Sequence, residues 1–182
     1  MNTKPMFRGL IASALLASGC ASQPNVIADK APEVDLSAYK TFAFFDHLTT
    51  DNVGYSSILS SHLKQATRTE LERLGYVYAE TDPDLRVNFF LKVEERQEIR
   101  STPTTAGGFF GYRFYSAGAV NIDTVEYKAG TLSIDVVDAD RNALVWHGLA
   151  EGRVRDDAMR NPGPAIGAVV AEIFNAFPGS TS

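Results

Sequence analysis

The residue types able to do chemistry in this chain are few, and their spacing argues against a catalytic set. The histidines His47, His62 and His147 stand far apart, and none has a His, Cys or Glu neighbour at metal-ligand spacing. They read as surface or strand-packing side chains, and neither a metal nor another cofactor is expected. Paired carboxylates occur at Asp82/Asp84 and Asp138/Asp140. General acid–base pairs need a cleft that separates two pKa values. Both of these pairs instead flank predicted strands, where Asp hydrogen-bonds the nearby backbone, so turn roles are expected. No serine lies in a G-x-S-x-G elbow, and Gly107 and Gly108 precede aromatics rather than the Lys-Ser/Thr of a phosphate loop. No catalytic residue is expected, and the chain reads as a non-enzyme.

Cys20, the single cysteine, is the exception. Residues 1–20 read MNTKPMFRGLIASALLASGC. Lys4 and Arg8 form a positive start, Leu10 to Leu16 a short apolar run, and Ala17, Ser18 and Gly19 lead into the cysteine. The run is too short to span a bilayer. The pattern resembles the lipobox of bacterial lipoproteins, with Ala17 where Leu is commonest and Leu16 one place further back. That resemblance implies removal of residues 1–19, acylation of Cys20, and a membrane as partner through the acylated cysteine. Ala21 rather than aspartate follows, which implies the outer membrane, facing the periplasm. Several acyl chains give stable anchoring, at about 0.8 kcal/mol per buried methylene.

At 182 residues the chain suits one domain. The net charge is −5. Loss of residues 1–19 takes Lys4 and Arg8 with it, leaving 15 basic against 22 acidic residues, a net −7. Such a surface excludes nucleic acid as an expected partner. With one cysteine no internal disulfide can form, so stability must come from apolar burial.

The elements follow from periodicity. Residues 20–24 read as a short tether and 25–178 as one domain, with a tail over 179–182. Val26 and Ile27 start an edge strand, and Tyr39 to Phe45 is an aromatic-rich strand. Leu59, Leu63, Ala66, Leu71 and Leu74 predict a helix over about 56–74, stopped by Gly75. Leu85, Val87, Phe89, Leu91 and Val93 alternate with polar residues as a half-buried strand. Leu132, Ile134 and Val136 make another, turned by Asp138 to Asn142 into Leu144 to Val154. Trp146 shares a face with Leu144, Gly148 and Ala150 and reads as core. Ile166, Val169, Val170, Ile173, Phe174 and Phe177 line one face of a helix from about Pro164 to Phe177. The order predicts an α+β fold, a mainly antiparallel sheet with two helices packed on one face.

Several stretches together resemble the bacterial lipoprotein family called domain of unknown function 4136. They are VDLSAYKTFAFFD (34–46), ELERLGY (70–76), DPDLRVNF (82–89), GTLSIDVVDADRNALVWHGLAEG (130–152) and AVVAEIFNAFP (168–178). Asn142 stands where the family usually has glycine, and Asn tolerates the left-handed backbone such a turn needs. The resemblance implies an envelope location and the α+β domain, and it carries no catalytic residues.

Ser101 to Asp123 combines Gly107, Gly108, Gly111 and Gly118 with Phe109, Phe110, Tyr112, Phe114 and Tyr115. It reads as a mobile Gly-rich insertion between strands, and its clustered rings are costly to leave in water. Either it folds back on the sheet or it meets a protein partner, a glycan or a membrane surface. These five aromatics are the candidate interaction residues. The leading expectation is a non-enzymatic envelope domain that docks to another envelope component. The alternative is a module holding a small apolar or lipidic ligand between sheet and helices.

Overall fold

Alternation and helical periodicity converge on one buried layer in the computed structural model, which describes residues 23–51, 57–110 and 113–179. Within that set the side chains of residues 104–117 and 119 are not described. In chain order the elements are β1 (Asn25–Lys30), β2 (Thr41–Phe44), α1 (Ile58–Arg73), β3 (Val77–Tyr78), β4 (Leu85–Phe110), β5 (Arg113–Asp138), β6 (Ala143–Val154), α2 (Asp156–Arg160) and α3 (Pro162–Asn175). The strands form one sheet in the order β1-β6-β5-β4-β2-β3.

The fold class is α+β, but the sheet is mixed. β1/β6, β6/β5 and β5/β4 are antiparallel, whereas β2 runs parallel to both β4 and β3. The parallel pairs arise because α1 lies between β2 and β3, so the chain crosses back and enters β3 in the same direction as β2. β3 is two residues long, too short to register as an alternating run.

The core is set by side-chain direction. In β4, Leu85, Val87 and Phe89 are buried; their register partners in β5 include Val136 and Ile134, also buried. In α3, Val170, Ile173 and Phe174 join the same apolar cluster, as do Leu63 and Leu71 of α1. The buried stripe of α1 also contains Ser60 and Thr67. The Ser60 hydroxyl bonds Ser57 and Thr50, and Ser57 caps the helix by accepting from the Ser60 N–H at 2.9 Å. The Thr67 hydroxyl is buried with no hydrogen-bond partner among the described residues. Gly75 ends this segment at φ +93°, a conformation that favours glycine.

Trp146 dominates the layer. Its ring stacks on Phe174 at 5.5 Å and meets Phe177 at 4.9 Å. It lies over Gly148, where a Cβ would overlap Trp146 Cη2 and sit 2.5 Å from Ile173 Cγ2. A register shift between Val136 and Val137 inserts an extra residue opposite them. As a result Val145 and Trp146 are both buried and Leu144 is half exposed. Leu144 therefore does not share the core face expected for it.

The β4/β5 ladder runs without a break from Leu85↔Asp138 to Phe110↔Arg113. Ser101 to Asp123 is thus mostly paired strand, not an irregular insertion. Past Val93 the strand residues of β4 are largely exposed.

Gly148→Ala should destabilise the domain by roughly 1–3 kcal/mol, because the added methyl pushes Trp146 off Phe174 and Phe177. Gly167→Ala, where nothing lies within 4 Å of the new Cβ, serves as the control and should be neutral or slightly stabilising. Equal denaturation midpoints for the two variants would contradict this packing.

Candidate interaction site

The residues with chemical potential are brought together in two places. At one end of the sheet, Asp138 is almost fully buried. Its Oδ1 accepts the Arg141 backbone N–H at 2.8 Å. Its Oδ2 accepts the Tyr39 hydroxyl at 2.8 Å and the Arg141 guanidinium at 2.7 Å. Arg141 also donates to the Tyr39 oxygen at 2.8 Å. The Arg141 N–H, the Tyr39 hydroxyl and the guanidinium hold the Asp138 carboxyl at a pKa of about 2. Burial and the adjacent carboxylate push Tyr39 above its ordinary value. Asp84 lies beside this group. Its Oδ2 accepts the N–H groups of Lys40 and Thr41 at 2.7 and 2.8 Å, which lower its pKa.

These bonds give Asp138 the turn role expected of it, whereas Asp84 bonds no local backbone and instead ties the approach to β4 to the start of β2. Asp82 has φ +54° in a turn, and Asn142 has φ +47° in the β5–β6 turn, the left-handed geometry expected of it. Tyr39 and Arg141 were not singled out by sequence reasoning, since no local pattern links residues so far apart in the chain. An open depression of about 190 Å³ lies near this end, lined by residues including Tyr39, Lys40, Gly75 and Tyr76.

The second cluster lies on the sheet face opposite the core. His147 Nδ1 is 2.6 Å from Asp135 Oδ1, and Ser133 Oγ lies 3.5 Å from the same ring nitrogen. The residue types match a hydrolase triad, but the geometry does not. A triad places serine and carboxylate on opposite ring nitrogens. Here both approach Nδ1, and Asp135 and His147 stand partly in solvent. His62 packs against Gly163 at the rim of an open groove of about 420 Å³ between α1 and α3, and His47 is exposed. Among the described residues no cluster of three or more His, Cys, Asp or Glu could hold a metal.

The remaining candidate surface is the outer part of β4 and β5. Ile99, Val120 and Ile122 lie on the face that continues the core side of the sheet, and they are 72%, 61% and 70% exposed. The opposite face carries Glu94, Arg96, Glu98 and Arg100, with Arg96 bonded to Glu151 and Arg153 to Glu98 across the sheet. Phe109, Phe110, Phe114 and Tyr115 occupy strand positions at the far end, with Phe109 opposite Phe114. Their side chains, and Tyr112 and Cys20 altogether, lie outside the described residues. β-Branched residues on both sides of the glycines (Ile99, Thr102, Val120, Ile122, Thr124, Val125) were the available signal for paired strands.

The model of the family described as "Domain of unknown function (DUF4136)" matches residues 26–179. The chain belongs to this family. No curated protein matches it. Among solved structures the DUF4136 chain is similar to a PDZ domain protein from Parabacteroides distasonis ATCC 8503, with 16% identity and a TM-score of 0.58. That match covers 88% of this chain and 37% of that one, so the chain spans little more than a third of the neighbour's length. Two structures of the PelC dodecamer from Paraburkholderia phytofirmans match at 10% and 8% identity, with TM-scores of 0.43 and 0.47. They cover 82% and 87% of this chain and 93% and 99% of theirs. At these identities the likeness is one of fold.

The Asp138 pKa fixes a pH dependence. A folded pKa near 2, below the unfolded value of about 3.9, contributes stability that is present above about pH 4 and lost as pH falls toward 2. Asp138→Asn should lower stability at pH 7 by roughly 1–3 kcal/mol. The gap between variant and wild type should close between about pH 4 and pH 2. A gap that is absent at pH 7, or that widens on acidification, would contradict the assignment.

Proposed function

We propose that this protein is a lipid-anchored, non-enzymatic domain of the bacterial cell envelope that docks to another envelope component through the β4–β5 hairpin. Cys20 is the acylation site in this reading, and the outer membrane, facing the periplasm, is the location. No described helix is long and apolar enough to cross a membrane; in this reading attachment lies in the acylated N-terminus, on the strength of the lipobox-like sequence ending at Cys20.

The observation that carries the docking role is the reach of the hairpin beyond its own core. The buried layer around Trp146 and Phe174 thins at Leu91 and Leu132, yet the paired strands continue well past them. At about 3.4 Å per residue, the part of β5 before Lys128 extends on the order of 50 Å. Ile99, Val120 and Ile122 stay exposed along it, and an exposed apolar strip bordered by charged residues marks a contact surface. Phe109, Phe110, Tyr112, Phe114 and Tyr115 are the proposed contact residues near its end. The space between sheet and helices is filled by Trp146, Phe42, Phe89 and Phe174, all fully buried, which favours docking over a ligand held inside.

Two experiments test this reading. Joining Arg96 to Tyr127, which are register partners, through a short Gly-Ser turn removes the outer hairpin. Melting should change little, because the deleted residues lie outside the core and the ion pairs lost are exposed ones worth about 1 kcal/mol or less each. Cross-links to envelope components should disappear. Intact cross-links in the shortened protein would refute the docking role. Cys20→Ser should abolish palmitate labelling and release the protein from membranes; persistent labelling would refute the anchor.

A further inference from the structure

We infer that the outer edge of β5 is a self-pairing edge, on which a second copy of this chain adds its own β5 antiparallel about a two-fold axis at Val120. The inference rests on the hairpin being the docking element and names what it docks to first.

The edge is open and correctly directed. β6 pairs with β5 only from Lys128 onward, the first pair being Lys128↔Val154. Among the described residues no strand covers that side of β5 from Arg113 to Tyr127. Backbone direction follows from one bond. The Phe45 N–H donates to the Val87 carbonyl at 3.1 Å, so odd-numbered residues of β4 point their polar groups toward β2 and even-numbered ones toward β5. The unbroken β4/β5 register then directs the odd residues of β5 toward β4. The N–H and C=O groups of Val120, Ile122 and Thr124 therefore face the free edge.

The two edges of the hairpin are not alike. On β4 the odd residues face outward, and Pro103 is one of them. It has no N–H to offer, and it sits beyond the charged stretch from Glu94 to Arg100. Proline and charge are the usual means of keeping an edge from pairing. On β5 the stretch from Val120 to Val125 holds β-branched residues with Asp123 as its one charge, and it has neither a proline nor, among the described residues, a covering strand.

Length and register select the second copy. The free stretch from Arg113 to Tyr127 has Val120 at its midpoint. Val120 points its polar groups outward, as a hydrogen-bonded pair on a two-fold axis requires. In that register Ile122 falls opposite Gly118 of the partner subunit, a position with open space around its Cα. Asp123 falls opposite Ala117 of the partner subunit and Glu126 opposite Phe114 of the partner subunit, so no like charges meet. The self-paired stretch, Arg113 to Tyr127, stops one residue before Lys128, where pairing with β6 begins. Ile99, Val120 and Ile122 of the two copies then form one apolar patch on a four-stranded sheet.

The test uses the full chain. In a Cys20→Ser background, Val120→Cys should oxidise to a disulfide dimer, since directly opposed strand residues lie about 5.5 Å apart at Cα, within disulfide range. Ile99→Cys, on the same face but one strand removed from the axis, should not. In detergent, the otherwise native chain should sediment as a dimer. Ile122→Pro removes an outward donor and no bond to β4, and it should raise the dimer dissociation constant about tenfold or more. Its unfolding transition, measured on the monomer, should match wild type. Monomeric sedimentation at every concentration, or cross-linking of Val120→Cys only to other proteins, overturns self-pairing. If outer-hairpin deletion still removes envelope cross-links in that case, the docking role survives alone. A Val120 dimer whose deletion leaves those cross-links unchanged does the reverse.

Discussion

The contact on which the rest of the structure depends is Trp146 lying over Gly148 against Phe174, Phe177 and Ile173. It joins the sheet to the C-terminal helix across the smallest side chain available, so the ring packs flat on the strand. The strand bulge beside it turns Val145 inward next to Trp146 and Leu144 outward. Removing this contact would leave α3 with few large partners, since Val170, Ile173 and Phe174 are its buried residues.

The polar residues that invite a catalytic reading serve the same architecture. Asp84 ties the approach to β4 to the start of β2, and Asp138 joins the β5–β6 turn directly to Tyr39, with Arg141 donating to both. A carboxylate already accepting several hydrogen bonds is held ionised, a poor state for proton transfer near neutral pH. His147, Asp135 and Ser133 meet on an open face around one ring nitrogen.

Much of this was legible from spacing. The alternation Leu85, Val87, Phe89 gave the inner face of β4, and the period through Val170, Ile173, Phe174 and Phe177 gave that of α3. Family order and spacing located the turns, including the left-handed Asn142. What escaped was non-local. Two residues of β3 cannot show a period, and the parallel direction of β2 depends on a crossover that no short window contains. Ser60 and Thr67 broke the apolar stripe of α1 although both are buried. In the outer hairpin the glycines and Pro103 masked an otherwise β-branched pattern, because edge strands tolerate both residues where central strands do not. The Tyr39–Asp138–Arg141 group joins residues about a hundred positions apart, and local reading finds only its turn.

The core thins at Leu91, and Val93 is already half exposed, yet the strands continue. Their persistence makes sense if pairing with another chain supplies what the core does not, since an isolated two-stranded ribbon is marginal in water. Residue-resolved amide hydrogen exchange on the purified protein above and below its association concentration tests this most directly. The account predicts that Asn121, Asp123 and Val125, bonded to β4, keep similar protection throughout, while Val120, Ile122 and Thr124 exchange freely when dilute and become protected on association. Fast exchange at Val120, Ile122 and Thr124 under every condition would contradict it.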